Sequence, residues 1–386
     1  MSIALLIFVS LGFSGGLLNI AWTYMRVSFS VDLDQLGILL LCATVGSLIA
    51  AFGSGALVGR WGIGIVAVGG ALLTMLGLLA IGLSPAWTAL LGAIFVMYLG
   101  RGALDAGMNN FVSENFDSWA MNVLHASWGL GLTIAPGILT VLLVRGEANW
   151  RTGYLLLAGL FAILIVLVAV HVNDWESSST NDHKPYSRHP MRESLTDSRV
   201  WVGIIVFFIY GGLEIGIGQL ANTLLVESRG ASQPVASFWL SAYWGSFTIG
   251  RLLIGVIALR IADARIIWGG LAMALAGAAC IAVPGSLSLN LLGLMLCGAG
   301  LAGFFPLLIS NTPRRVGREN SANAIGFQVG SAGLGAALLP GGIGIIADNL
   351  GLEFIALGLL TNALVLLMVY VGMIAYDSHI NPRAKA

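Results

Sequence analysis

The chain has 386 residues, of which 58% are hydrophobic and 9% charged, with mean hydropathy +0.92 and a formal net charge of zero. A soluble domain carries about 25% charged residues, so this composition excludes a water-soluble globular protein. The lack of any basic block likewise excludes a nucleic-acid binder.

In chain order, Gly, Pro and charge clusters divide the sequence into apolar segments of the length a bilayer core requires. The predicted spans are 3–25, 36–58, 62–83, 87–111, 121–144 and 152–172, then 200–225, 234–258, 265–283, 289–310, 322–346 and 353–376. The first run, from Ile3 to Met25, is too long for a signal-peptide core and lacks a basic leader, so it reads as a span. Residues 173–198 form the one long polar connection, a tether too small to hold a catalytic domain. It separates an amino-terminal bundle, 1–172, from a carboxy-terminal bundle, 199–386. Cys42, Cys280 and Cys297 fall inside apolar runs without metal-ligand spacing and read as packing residues.

Lys and Arg placement sets the orientation. With both termini cytoplasmic, the inner side carries Arg60, Lys184, Arg188, Arg192, Arg199, Arg260, Arg265, Arg314, Arg315, Arg318, Arg383 and Lys385. The outer side then holds Arg26, Arg145, Arg151 and Arg229, while Arg101 and Arg251 stay within spans.

The halves repeat. Gly129, Gly131, Pro136 and Gly137 of span five recur as Gly333, Gly335, Pro340 and Gly341 of span eleven. Gly55 with Arg60 recurs as Gly255 with Arg260, and Gly100-Arg101-Gly102 as Gly298-Ala299-Gly300. Duplicated halves related by an axis along the membrane normal are a transporter arrangement, with substrate expected near the midplane. Taken singly, the glycines indicate only close helix packing; the two prolines are candidate pivots.

Gly55-x-x-x-x-Arg60-x-Gly62 resembles, in degenerate form, the loop motif of the major facilitator superfamily, with Gly59 where an acid is usual. Gly102-Ala-Leu-Asp105-Ala-Gly-Met-Asn109-Asn110-Phe-Val112 and Met121-Asn122-x-x-His125-x-x-Trp128-x-x-Gly131 resemble the fourth and fifth spans of its fucose permease group of sugar:proton symporters. Tyr210-Gly-Gly-Leu-Glu214-Ile, Tyr243-Trp244-Gly245 and Gly250-Arg251 resemble spans seven and eight of that group. The resemblance implies an all-α integral membrane fold of twelve transmembrane helices in two pseudo-symmetric six-helix bundles. It places Asp105 where that group has a buried acid. Asn19 stands where the first-span acid is usual, His125 where a Gln is usual and Trp128 where an Asn is usual, which implies a kept proton site with altered sugar contacts.

An ionisable group inside a span costs at least about 2.5 kcal/mol at the centre, so it reads as functional by default. Arg101 and Asp105 are four residues apart and share a helix face, and Glu214 lies near the middle of span seven. These three are the candidate proton-coupling residues, with Asp105 exchanging a proton as Arg101 approaches or recedes. His125 fits either a proton relay or a satisfied structural histidine. Asn19, Asn109, Asn122, Gln219, Asn222 and Gln328 offer amides suited to hydroxyls. Trp22, Trp128, Tyr243 and Trp244 are candidates to stack on a sugar ring, and Arg60 and Arg251 are candidate gate residues.

The leading expectation is symport of a sugar or similar small polar solute by alternating access, coupled to protons or to sodium, in a multi-pass monomer of the bacterial inner membrane. The alternative is an exporter or antiporter of drugs or organic anions, with Arg101 facing the substrate. An enzyme is not expected, since no H-E-x-x-H, no nucleophile with a base and no Gly-rich phosphate loop occurs. No cofactor or metal is expected either. A sensor is disfavoured by the lack of an appended signalling domain.

Overall fold

A computed structural model describes residues 1–31, 35–145, 149–171 and 189–380, and every element among them is helical. In order they are α1 (Ser2–Phe29), α2 (Gln35–Leu83), α3 (Trp87–Asn115), α4 (Ser118–Arg145), α5 (Trp150–Val170) and α6 (Met191–Ser194). The rest are α7 (Ser198–Thr223), a π turn (Leu224–Ser228), α8 (Gln233–Ile257), α9 (Asp263–Ala282), α10 (Leu287–Leu301), α11 (Phe304–Val316), α12 (Arg318–Leu350) and α13 (Phe354–Ile380). Among the described residues nine helical stretches are long and apolar enough to cross a membrane, so the chain is an all-α, multi-pass membrane protein. Most of the expected tether, 172–188, and the side chains of Asn19, Pro136 and Gly137 lie outside the described residues.

Predicted boundaries shift where the backbone has its own signals. Spans 36–58 and 62–83 run together as α2, broken only at Gly62, whose φ of 79° and ψ of 161° suit glycine. The tenth predicted span, 289–310, extends through α10 and α11 to Val316. Arg314 and Arg315 favour that later end, because cations stabilise a helix C-terminus, and Gly317 (φ 86°) closes it. Pro340 sits inside α12, which continues through it to Leu350.

The chain divides into two compact units. One comprises Met1–Asn115, Val123–Met191 and Arg318–Gly326, the other Phe116–Asn122, Arg192–Gly317 and Phe327–Ala386. Each is closed by the same backbone-to-backbone contacts. In the first unit a Cβ on Gly100 would stand 2.5 Å from the Gly70 carbonyl oxygen; in the second a Cβ on Gly300 would stand 2.5 Å from that of Gly270. The sequence repeat of about 200 residues is thus a repeat of helix contacts.

Gly131 and Gly335, the matching positions of spans five and eleven, both sit against a neighbouring backbone, and within span eleven Gly333 does not. A Cβ on Gly131 would overlap the Val9 carbonyl oxygen, and one on Gly335 that of Phe208, whereas Gly333 has nothing within 4 Å. Gly335→Ala is therefore expected to cost at least the ~3 kcal/mol upper end of overpacking, since a helix backbone and not a flexible side chain must yield. Gly333→Ala should be neutral. Melting midpoints of the two variants in detergent check this, and equal midpoints would contradict the contact.

Outside the spans, Arg229 Nη2 meets Glu353 Oε2 at 2.8 Å, Ser228 Oγ donates to Oε1 at 2.7 Å, and Arg229 Nη1 donates to Ile281 O at 2.7 Å. The Arg229 hydrogen bond, opposed by partial burial and helped by Ser228, holds the Glu353 carboxyl below its ordinary value. Stability from a lowered carboxyl is present above the ordinary carboxylate range and is lost as pH falls through the folded value. Glu353 is nearly half exposed, so Glu353→Gln should cost only about 0–1 kcal/mol at pH 7. Melting curves of variant and wild type should converge only once pH has fallen below the lowered folded value of Glu353, beneath the ordinary carboxylate range.

Candidate functional site

In the first unit α3 presents Arg101, Asp105 and Asn109 at intervals of four, one above another on a single face. Asn109 Nδ2 donates to Asp105 Oδ1 and to Asp105 O, both at 2.9 Å. With its nitrogen engaged there, the Asn109 oxygen accepts, and His125 Nε2 lies 2.9 Å from it. The His125 Nε2 therefore carries the proton in that bond. Asn109 and His125 are buried, and the ring of Phe8 meets the imidazole edge-on at 5.5 Å. The result is a chain of polar groups, His125 to Asn109 to Asp105, in which each bond polarises the next.

Arg101 lies at the other end of this face. Its Nη1 donates to Ser14 Oγ at 2.7 Å and its guanidinium sits 5.2 Å from the Tyr98 ring centroid. Gly15 of α1 faces the guanidinium, where a Cβ would be in ordinary contact with Nη1 at 3.4 Å. Ser14 and Tyr98 escape sequence reasoning because a lone Ser or Tyr in an apolar run carries no positional signal.

The second unit has its own cluster. Tyr243 Oη donates to the Glu214 carbonyl oxygen at 2.8 Å, Tyr210 hydrogen-bonds the Glu214 carboxyl, and Arg251 lies within electrostatic reach of that carboxyl. Arg251 is buried, donates from Nε to Ala302 O at 3.3 Å and lies 4.2 Å from the Phe247 centroid. The structure thus sets this expected gate residue beside Glu214. Tyr210 stacks on Phe304 at 5.1 Å, and Tyr243 meets Trp244 at 4.8 Å.

Other expected site residues disperse. Gln328 is buried and its oxygen accepts from Thr312 Oγ1 at 2.9 Å, while its nitrogen faces Gly203. Asn122, at the start of α4, belongs to the second unit, where its Nδ2 donates to Ser118 O at 2.8 Å and its Cβ lies against Gly255. Trp128 is half-buried and lends its carbonyl oxygen to the contact with Gly12. Gln219 is exposed, Asn222 half-buried one turn on, and Arg60 exposed over the Trp61 ring. A further cluster in the second unit went unforeseen: Asp263 Oδ2 accepts from Ser118 Oγ at 2.5 Å and from Asn311 Nδ2 at 2.8 Å, with Ser310 beside Ser118 at 3.0 Å. Among the described residues no group of His, Cys, Asp and Glu is arranged to hold a metal ion.

The family model described as Major Facilitator Superfamily matches residues 4–340 and 202–385. An uncharacterised MFS-type transporter of Yersinia pestis is 28% identical over 368 residues, spanning 91% of this chain and 92% of that protein. The glucose/mannose transporter GlcP of Bacillus subtilis is 22% identical over 237 residues, 59% of this chain and 58% of that one. Among solved structures, the E. coli fucose:proton symporter FucP superposes with a TM-score of 0.76 at 17% identity, covering 96% of this chain and 98% of that one. FucP in its outward conformation gives a TM-score of 0.80 at 16% identity with the same coverage.

Proposed function

The chain belongs to the major facilitator superfamily, and on that premise we propose that it is a secondary active transporter, a proton-coupled symporter of a sugar or similar small polar solute working by alternating access. Its twelve crossings fall into bundles 1–172 and 199–386 joined by the 173–198 tether. It resides as a monomer in the bacterial inner membrane with both termini in the cytoplasm. It is a carrier and not a catalyst, and needs no cofactor beyond the coupling proton.

The observation that carries the reading is the His125–Asn109–Asp105 chain. A carboxyl group inside a span, given an amide donor and an imidazole behind it, is equipped to take and give a proton, and the cost of placing it there points to use. A Bacillus relative that transports glucose and mannose and a fold neighbour that symports fucose with protons support the sugar and the proton. Asp105, Glu214 and Arg101 are the coupling residues. Asn19, Asn109, Asn122, His125, Trp128, Gln219, Asn222, Tyr243 and Gln328 are the substrate contacts, with Asn109 and Tyr243 best placed beside the carboxyls. Arg60 and Arg251 are the gate residues, with Arg251 within electrostatic reach of Glu214.

A thermal-shift screen of the purified protein against glucose, mannose, fucose, amino acids and organic acids tests the substrate class. A sugar is expected to raise the melting midpoint in wild type and to lose that effect in Asn109→Ala. Stabilisation by organic anions alone would favour the anion carrier, with Arg101 as the recognition group.

A further inference from the structure

Asn362 is the one amide in the α13 segment that runs from Phe354 to Tyr370, apart from which that stretch is apolar save for Thr361. It is buried, with 8% of its surface exposed. Its side chain straddles one rung of α7: in the amide orientation that satisfies both neighbours, assigned from the hydrogen-bond network, the nitrogen donates to Ile209 O and the oxygen accepts from Leu213 N, both at 3.2 Å. Those two groups are the i and i+4 partners of a single helical hydrogen bond. Between them stand Tyr210, Gly211 and Gly212, and directly after them Glu214.

The turn so tied is supported unevenly. On one side it lies hard against α12, where a Cβ on Gly211 would overlap the Ala332 carbonyl oxygen and one on Gly212 the Leu339 side chain. On the other side a cavity of about 520 Å³ opens among Ile209, Leu339, Ile343, Leu357, Thr361 and Asn362. It is an outward-facing groove and not a closed void, since Ile346 and Leu357 in its lining are exposed. At this rung the Asn362 amide bonds α13 to α7, and elsewhere along the pair Gly216 faces Leu359 and Ser198 meets Tyr376.

We propose that Asn362 is a positioning residue for Glu214: by clamping the 209–213 rung it fixes the turn from which Tyr210 and Glu214 project, and so sets how Glu214 meets its partners. Those partners are Tyr210 on α7 itself, Tyr243 and Arg251 on α8, and, beside Tyr243, Cys297 on α10. The proposal rests on the reading of Glu214 as an ionisable group that serves transport.

The test uses the full chain in nanodiscs and Asn362→Leu, which removes both bonds while keeping the number and branching of side-chain heavy atoms; Asn362→Ala replaces it if the leucine variant is not recovered folded. Amide hydrogen exchange across 209–216, without substrate, should rise about threefold for each hydrogen bond lost, with α9 unchanged as control. Sugar counterflow as a function of pH should show a displaced midpoint in Asn362→Leu. In a Glu214→Gln background the same substitution should displace nothing further, because groups acting through one another are non-additive. Unchanged exchange overturns the clamp, and since that arm needs no substrate it decides the point whether or not a sugar is carried. Raised exchange with an unmoved pH midpoint, or with the same displacement in the Glu214→Gln background, reduces Asn362 to a structural contact and overturns its positioning role.

Discussion

Asp105→Asn is expected to abolish uphill accumulation while leaving exchange of labelled for unlabelled substrate largely intact. Asparagine keeps the shape of the protonated carboxyl, and its oxygen still accepts from Asn109 Nδ2, so the bond now at 2.9 Å survives. What it lacks is a releasable proton. A symporter returns either fully loaded or empty, and the empty return needs the carboxyl deprotonated on the inside. A permanently neutral side chain permits the loaded carrier to shuttle, so counterflow persists; no proton is bound and released per cycle, so a pH gradient drives nothing. Asn19 strengthens the expectation, because the first-span position that carries an acid in the resembling group is neutral here. Glu214 is the rival. Accumulation that survives Asp105→Asn but fails in Glu214→Gln would move the coupling role to the second unit.

Arg101→Lys is expected to retain part of the transport rate with a displaced pH optimum. Lysine keeps the charge but loses the planar fork. The guanidinium presently spans from Ser14 Oγ at 2.7 Å to the face of Tyr98 at 5.2 Å, and an ammonium holds one of these contacts at a time. Asp105, one turn along the same face, then meets a cation that is present but differently placed. Loss of binding with an unmoved pH optimum would instead make Arg101 a clamp for an anionic substrate. A variant normal in both respects would leave it a structural contact.

Much of this was legible in the sequence because bilayer solvation leaves a coarse signature. Length and apolarity locate the spans, and Gly62 marks the break that separates two of them within α2. The repeat of small residues is visible as spacing, since close helix approach requires them wherever it recurs, but the contacts align Gly100 with Gly300, two positions from the Gly100–Gly298 match read in the sequence. The i, i+4 relation of Arg101, Asp105 and Asn109 needs only helix geometry.

Helix rotation was not legible. In water an apolar stripe tells which face turns inward, but spans such as α13 are apolar all round, and lipid accepts any face. Hence Arg251 could not be placed beside Glu214, 37 positions away, nor Asn362 against the 209–213 rung. The Asp263 cluster draws on three separate helices, and neither Ser118 nor Asn311 is unusual in its own segment. Gln328 and Asn122 are amides whose protein partners were equally hidden. Gln328 on α12 accepts from Thr312 on α11, and Asn122 donates to Ser118 O four residues back on α4, bonds of the kind polar groups find where no water satisfies them.

The most direct test of proton-coupled sugar transport is uptake into proteoliposomes containing the purified protein, with an imposed inward proton gradient and labelled glucose, mannose or fucose outside. The account predicts internal sugar rising above the external concentration, collapsing when a protonophore dissipates the gradient, and absent in Asp105→Asn. Uptake that only equilibrates, or that follows a sodium gradient and ignores pH, would contradict it.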